Sequence, residues 1–207
     1  MLRKAGVQLR KFLSLPQEKQ NKIVTAAMNL FGEVGYKKAY VSEIASAAGV
    51  SKALIFHYFG SKKDLYSYMV YYTGKIVMTE AHEKRDTANK EFFERAIITT
   101  RFRLSIISRY PAMSSFIESV YSEDDPEVAS DVERLRSIAG DMHSRVELDD
   151  VERKKLKDGA DPGQAESIIE KYMEGVVVSW DRKTPIDEVM LEVTGCLNML
   201  KSLLYNA

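Results

Sequence analysis

Three histidines (His57, His82 and His143), one cysteine (Cys196) and the acidic clusters Glu123-Asp124-Asp125 and Asp149-Asp150 are the groups in this 207-residue chain best equipped to hold a metal or form a covalent intermediate. Their spacing supports neither. The sequence has no Cys-x-x-Cys, no His-Glu-x-x-His and no glycine-rich phosphate loop. The acidic clusters lack the ligand spacing of a calcium loop, and Cys196 falls on an apolar stripe where a thiol packs as a small hydrophobe. The expectation is therefore no enzyme, no metal and no cofactor. What remains is charge. Lys plus Arg and Asp plus Glu are 30 each, yet residues 1–63 hold eleven basic and three acidic side chains, a net +8, while the remainder is net −8. A basic first third on an acidic remainder points to a polyanion as partner of that third alone. Chance clustering on a solvated face is the competing reading.

The elements that must position these charges are read from periodicity. Hydrophobic residues make up 45% of the chain and its mean hydropathy is −0.26, the profile of a globular protein. The longest apolar run, Tyr68 to Tyr72, is far short of the roughly 20 residues that span a bilayer. Residues 1–13 lack the apolar core of a secretory signal, and a single cysteine allows no internal disulfide. These features place the chain in the cytoplasm with no membrane partner. No stretch alternates with period two, so the fold class is all-α. A first helix is expected from Pro16 to Gly35, with Ser14 as its cap. Two short helices, Ser42–Ala48 and Ser51–Tyr58, are separated by Gly49 and Val50. Gly49 can take positive φ and Ser51 can cap the next helix, so the pair forms an abrupt corner of helix-turn-helix type. Ser61 caps a long helix to about Ala81. Further helices are expected over 89–110, from Pro111, and from Asp125-Pro126 through Met142. A fraying, charged segment over 145–163 follows, ending in a mobile loop. The last two helices, opened by Asp161 and Pro185, carry apolar stripes broad enough to bury on two sides.

The set Gly35-Tyr36, Ile44-Ala45, Ala48-Gly49-Val50-Ser51-Lys52 and Phe59-Gly60-Ser61-Lys62-Lys63-Asp64-Leu65 resembles the signature of the TetR family of transcriptional regulators. The resemblance by motif covers about residues 16–65. It implies an all-α homodimer. Residues 1–60 would be a three-helix helix-turn-helix domain binding double-stranded operator DNA, and 61–207 a helical effector-binding and dimerisation domain. The function it implies is a dimeric repressor released by a small, largely apolar effector. The alternative is a helical small-molecule or protein-binding protein without specific DNA binding.

Carried over residue by residue, the recognition helix is Ser51 to Tyr58. Lys52, Ala53, Leu54 and His57 are its candidates for base edges, and Lys62 meets phosphate at the N-terminus of the fourth helix. Tyr58 matches a position that contacts the DNA backbone, with plain packing as the other reading. The chain departs from the family at Ala53, Phe56, Ala39 and Tyr40, where glycine, tyrosine and threonine or serine are usual. Tyr40 would offer a phenolic donor to phosphate while Ser42 caps its helix. These departures bear on the operator sequence more than on DNA binding itself. The basic lead-in, residues 1–14 with Leu2, Leu9 and Leu13, is either an arm reaching DNA or a frayed extension.

In the second domain the resemblance implies an effector between helices. Tyr72, Phe102, Phe116, Tyr121, Met173 and Trp180 are the nominated walls, Trp180 and Tyr121 supplying polar handles. Arg101 and Arg103 would pair an anionic ligand, an internal carboxylate or solvent. Ile169, Val177, Leu197 and Leu200, on the last two helices, are the nominated dimer interface.

Overall fold

The computed structural model describes residues 9–84, 90–140 and 146–206. Leu2, Asn89, Met142, His143 and Arg145, and the side chain of His82, lie outside that description. The chain divides into two compact units, one of Met1–Met78 with Tyr110–Asp141 and one of Thr79–Arg109 with Met142–Ala207. Among the described residues no helix is long and apolar enough to cross a membrane, and no three His, Cys, Asp or Glu gather as a metal site requires.

The first unit contains α1 (Gln17–Lys38), α2 (Val41–Ala47), α3 (Lys52–Phe59), the greater part of α4 (Lys62–Lys84), α6 (Pro111–Tyr121) and α7 (Ala129–Gly140). Helix α1 packs on α6 so closely that a Cβ on Gly32 would stand 2.9 Å from the backbone carbon of Ser115. Around that contact Phe31, Tyr36, Tyr66 and Phe116 interlock, Tyr66 meeting both phenylalanines edge-on. Gly35, at φ 75° and ψ 173°, breaks α1 where the sequence predicts it to stop, and the chain resumes helical form through Lys38. The amide freed by that break, on Tyr36, donates to Glu123 Oε2 at 2.7 Å, and the Tyr36 hydroxyl donates to Glu127 Oε2 at 2.8 Å. Burial, then the Glu127 carboxylate, pushes the Tyr36 phenol well above its usual range.

Two expected caps are corrected. The residue before α1 is Pro16, with no side-chain cap, and Ser14 Oγ instead donates to the Lys11 carbonyl at 2.8 Å. Helix α2 follows Tyr40, again without a side-chain cap, so Ser42 sits inside the first turn and caps nothing.

The second unit contains α5 (Phe92–Arg109), the single turn α8 (Asp150–Arg153), α9 (Pro162–Ser179) and α10 (Ile186–Leu204). Phe92, Phe93, Leu104, Ile169, Met173, Val193 and Leu197 centre its core. The charged segment read as a fraying helix and mobile loop is instead, over its described part, a strap. Asp149 and Glu152 form a capping box at α8, and buried Glu152 accepts from the Phe92 amide and pairs with Arg95 at 2.8 Å. Beyond it Leu156 bridges Tyr205, the Lys157 amide donates to the Leu204 carbonyl and the Asn206 amide to the Lys155 carbonyl, both at 2.8 Å. Lys155 and Lys201 both pair with Glu91, at 2.6 and 2.5 Å. Local composition predicted mobility because, the capping box apart, these partners are distant in sequence.

Candidate nucleic-acid interface

The corner between α2 and α3 is built from small residues and one left-handed glycine. Gly49 has φ 68°, and the Val50 amide donates to the Ala45 carbonyl at 2.9 Å, closing α2. Ser51 then accepts from the Leu54 amide at 3.2 Å and opens α3. Ile44, Ala45, Ala48 and Ile55 are buried in the crook. The small side chains let the helices cross closely, which fixes the axis of α3.

That axis sorts the residues of α3 by face. Lys52, Ala53 and His57 are exposed and Phe56 half-buried, so positions i, i+1, i+4 and i+5 form one outward stripe. Lys52 Nζ lies 5.8 Å from the centroid of the Phe56 ring, one turn further along the same face. Ile55, Tyr58 and Phe59 face inward and Leu54 is half-buried. Of the four nominated base readers, Lys52, Ala53 and His57 share the outward stripe and Leu54 lies at its margin. Tyr58 is 8% exposed, its ring against Phe12 and His57, the position its packing reading required. Phe56 has no hydroxyl to give a phosphate. Its i+4 spacing from Lys52 was the signal for its place in the stripe.

Tyr40 is 65% exposed and Ser42 is exposed in the first turn of α2, so both present hydroxyls to solvent at the start of that helix. Lys62 is placed differently from expectation. Its ammonium donates to the carbonyls of Tyr36, Lys37 and Ala39 at 2.9, 3.3 and 3.4 Å and sits 4.3 Å from the centroid of the Tyr36 ring. Orphan carbonyls at the end of α1 attract a cation as strongly as the start of α4 attracts an anion. Sequence spacing gives no hint of that end. Ser61 caps α4 as expected, accepting from the Asp64 amide at 3.0 Å and donating to its carboxylate at 2.6 Å.

The nominated effector residues fall in both units. Tyr72, Phe116 and Tyr121 belong to the first, where Phe116 is fully buried in the aromatic cluster and Tyr121 is 41% exposed. Phe102, Met173 and Trp180 belong to the second. Of the six, Trp180 lines a cavity of about 350 Å³, together with Val176, Asp181, Thr184, Glu188 and Glu192, and its indole N–H donates to the Thr184 carbonyl at 2.9 Å. Another cavity of about 350 Å³, in the first unit, is bounded by Tyr58, Phe59, Ser67, Tyr68, Asp131 and Arg134. Burial and the neighbouring Tyr72 and Tyr71 push the Tyr68 phenol up to about 12. Arg103 is buried and paired with Glu174, and Arg101 is exposed and paired with Asp187 at 2.5 Å.

Of the interface nominees, Ile169 and Leu197 are buried in the core of their own unit and Val177 and Leu200 are half-buried. Ile169 and Leu197 are corrected to core positions, having no surface left for a partner. The apolar residues that α9 and α10 turn outward are Ile168, Val178, Leu191, Met199 and Leu203, between 51% and 77% exposed. A broad stripe has two edges, and periodicity does not say which edge the core takes.

Residues 23–69 match the family described as bacterial regulatory proteins, tetR family. The chain is similar to the transcriptional regulator HbdR of Aromatoleum sp. (strain CIB), 43% identical over 51 residues, which is 25% of this chain and 22% of HbdR. The chain spans about a fifth of the length of the curated relatives it matches. Its fold is similar to that of a TetR family transcriptional regulator from Chloroflexus aurantiacus, with a TM-score of 0.68 at 13% identity, covering 96% of this chain and 98% of that one. It is likewise similar to AibR, solved in complex with isovaleryl coenzyme A and operator DNA, with a TM-score of 0.58 at 15% identity over 87% of this chain and 97% of AibR.

Proposed function

We propose that the chain is a member of the TetR family of bacterial regulatory proteins and, on that premise, a dimeric transcriptional repressor released from its operator by a small molecule. The observation that carries the reading is the outward stripe of α3, because a capped helix presenting Lys52, Ala53 and His57 beyond a tight corner is the geometry that enters a major groove. Lys52 would reach guanine acceptors or a phosphate, and the Ala53 methyl would meet a thymine methyl. Tyr40 and Ser42 would hold the sugar-phosphate backbone. The same reading gives residues 1–60 to DNA and 61–207 to the effector and the dimer.

Dimerisation is supported by the outer edges of α9 and α10. On α9, Ile168, Tyr172, Gly175 and Val178 follow one another at helical spacing, and on α10 Leu191, Gly195 and Met199 do the same. A Cβ built on Gly175 or Gly195 would meet nothing within 4 Å among the described residues beyond its own helix backbone. A glycine in mid-helix costs about 0.5 to 1 kcal/mol relative to alanine, so two of them under open space beside exposed apolar side chains fit the close approach of a second copy. For the effector, AibR supplies the first class to try, an acyl thioester of coenzyme A.

Selection of bound duplexes from a random pool tests the reading. The expected product is a near-palindrome whose half-sites lie about 34 to 36 Å apart, bound with a steep salt dependence and released by an acyl-coenzyme A. Failure to enrich any sequence, with a flat salt response, would overturn it in favour of a binding protein that leaves DNA alone.

A further inference from the structure

The lead-in before α1 lies outside the matched family segment, and its described part is ordered against the recognition helix. Residues 9–13 are helical, and Phe12 is wholly buried. Its ring stands 4.8 Å from that of Phe59, 5.3 Å from Tyr68 and 6.0 Å from Tyr58, so it is pinned between the last turn of α3 and α4. Gln20 holds the turn that follows, its side-chain amide donating to the Leu13 carbonyl at 3.1 Å and the Leu15 carbonyl at 2.8 Å. Held at Phe12 and at the Leu13 and Leu15 carbonyls, the described lead-in sets the exposed Lys11 beside the outward stripe, with Nζ 3.4 Å from His57 Nε2. Arg10, next to it, is also exposed.

We propose that Lys11, positioned by Phe12, is a DNA-phosphate contact that extends the recognition surface beyond the helix-turn-helix itself. The inference rests on the DNA-binding reading above and names a residue that this reading lacks. The need for a cation at that point is electrostatic. His57 lies in the last turn of α3, where the unsatisfied carbonyls give the helix end a negative partial charge that repels a DNA strand. Lys11 supplies the offsetting charge from outside the helix. The hydrogen bond to His57 aims the ammonium along the stripe and leaves its other protons for a phosphate oxygen. Phe12 touches no DNA and acts only by holding the lead-in in place.

The test uses the full-length chain and a labelled duplex that the wild type selects from a random pool, with affinity measured across a salt titration. Lys11→Ala is expected to weaken binding several-fold on every sequence tested and to lower the magnitude of the salt slope by about 1.8, the value of two phosphate contacts, one from each protomer. Lys11→Arg should keep the slope. Phe12→Ala should lose the same slope with every charge still present, Phe12→Leu should recover most of it, and adding Lys11→Ala to Phe12→Ala should subtract little more. A merely structural lead-in would alter stability and leave the slope alone. Wild-type binding that Lys11→Ala leaves unchanged in affinity and slope overturns the inference, even if Phe12→Ala fails to fold. Absence of DNA binding by the wild type is a distinct result, because it overturns the function on which the inference stands.

Discussion

Among the described residues, the outward stripe of α3 and the outer edges of α9 and α10 differ in kind. The outward stripe of α3 presents an ammonium, a methyl and an imidazole on a helix whose other side is locked by Ile55, Tyr58 and Phe59. The outward edges of α9 and α10 present Ile168, Val178, Leu191, Met199 and Leu203, with two uncrowded glycines between them. The first face is short, basic and well solvated by itself. The second keeps apolar surface in water, a state that a matching apolar face would relieve at about 25 cal/mol per Å² buried. Under the proposed function the difference has a reason: the polar stripe would meet a polyanion through charge-assisted contacts, and the apolar edge a second copy of the same surface. One prediction follows for the proposed regulator as a whole, that each face fails by its own signature.

The largest effect is expected from charging the apolar edge. Val178→Asp combined with Leu191→Asp should give a monomer in sedimentation at concentrations where the wild type is a dimer. It should also lower affinity for a two-half-site operator by about 100-fold or more, the avidity lost when two modules are unlinked. A wild-type monomer at micromolar concentration would remove the comparison altogether. Lys52→Ala attacks the other face. It should cost about 1 to 3 kcal/mol in DNA binding and relax preference at one base position, with the dimer intact; loss of affinity without change of preference would assign Lys52 to phosphate alone.

Gly35→Ala probes the framework behind the polar face. Its φ of 75° with ψ of 173° suits glycine almost alone, and an added Cβ would approach Glu123 Oε2 to 3.3 Å. A loss of about 1 to 3 kcal/mol in denaturant unfolding is expected. Gly175→Ala and Gly195→Ala invert the usual sign for the apolar edge. Helix propensity alone makes each about 0.5 to 1 kcal/mol more stable, while a partner backbone packed over them makes the dimer weaker, so dissociation measured beside unfolding separates the two. The smallest effect concerns pH. Hydrogen bonds from Lys155 and Lys201 hold the Glu91 carboxyl down at about 2. A depressed carboxylate contributes stability above its unfolded value and loses it as pH falls, here from about 4.5 towards 2. The three side chains are each more than a third exposed, so solvent screening keeps the contribution small. Glu91→Gln should lower Tm modestly at pH 7 and match the wild type near pH 2.

Much of the polar face was legible in the sequence because its determinants are local. Gly49, Ser51 and Ser61 act on amides and carbonyls within a few residues of themselves, so their types and spacing predicted the corner and both caps. Asp161 likewise caps α9, accepting from the Gln164 amide at 2.7 Å. The caps that failed, Ser14 and Ser42, failed because proline and tyrosine already stood at the positions where the backbone turns helical.

The sequence alone determined the helical class, the corner and the asymmetry of charge, since these depend on period, backbone preference and composition. Only the tertiary structure decided which edge of each apolar stripe faces the core, burying Ile169 and Leu197 and exposing Ile168 and Leu191. It also turned Lys62 back onto the carbonyls that end α1 and made the charged segment after α8 a strap across the ends of α5 and α10. It pinned Phe12 among three aromatic rings, which no lead-in composition could announce. The physical reason is common to all four. Each depends on partners tens of residues away, and a helical period of 3.6 fixes which residues share a face while saying nothing of what that face will meet.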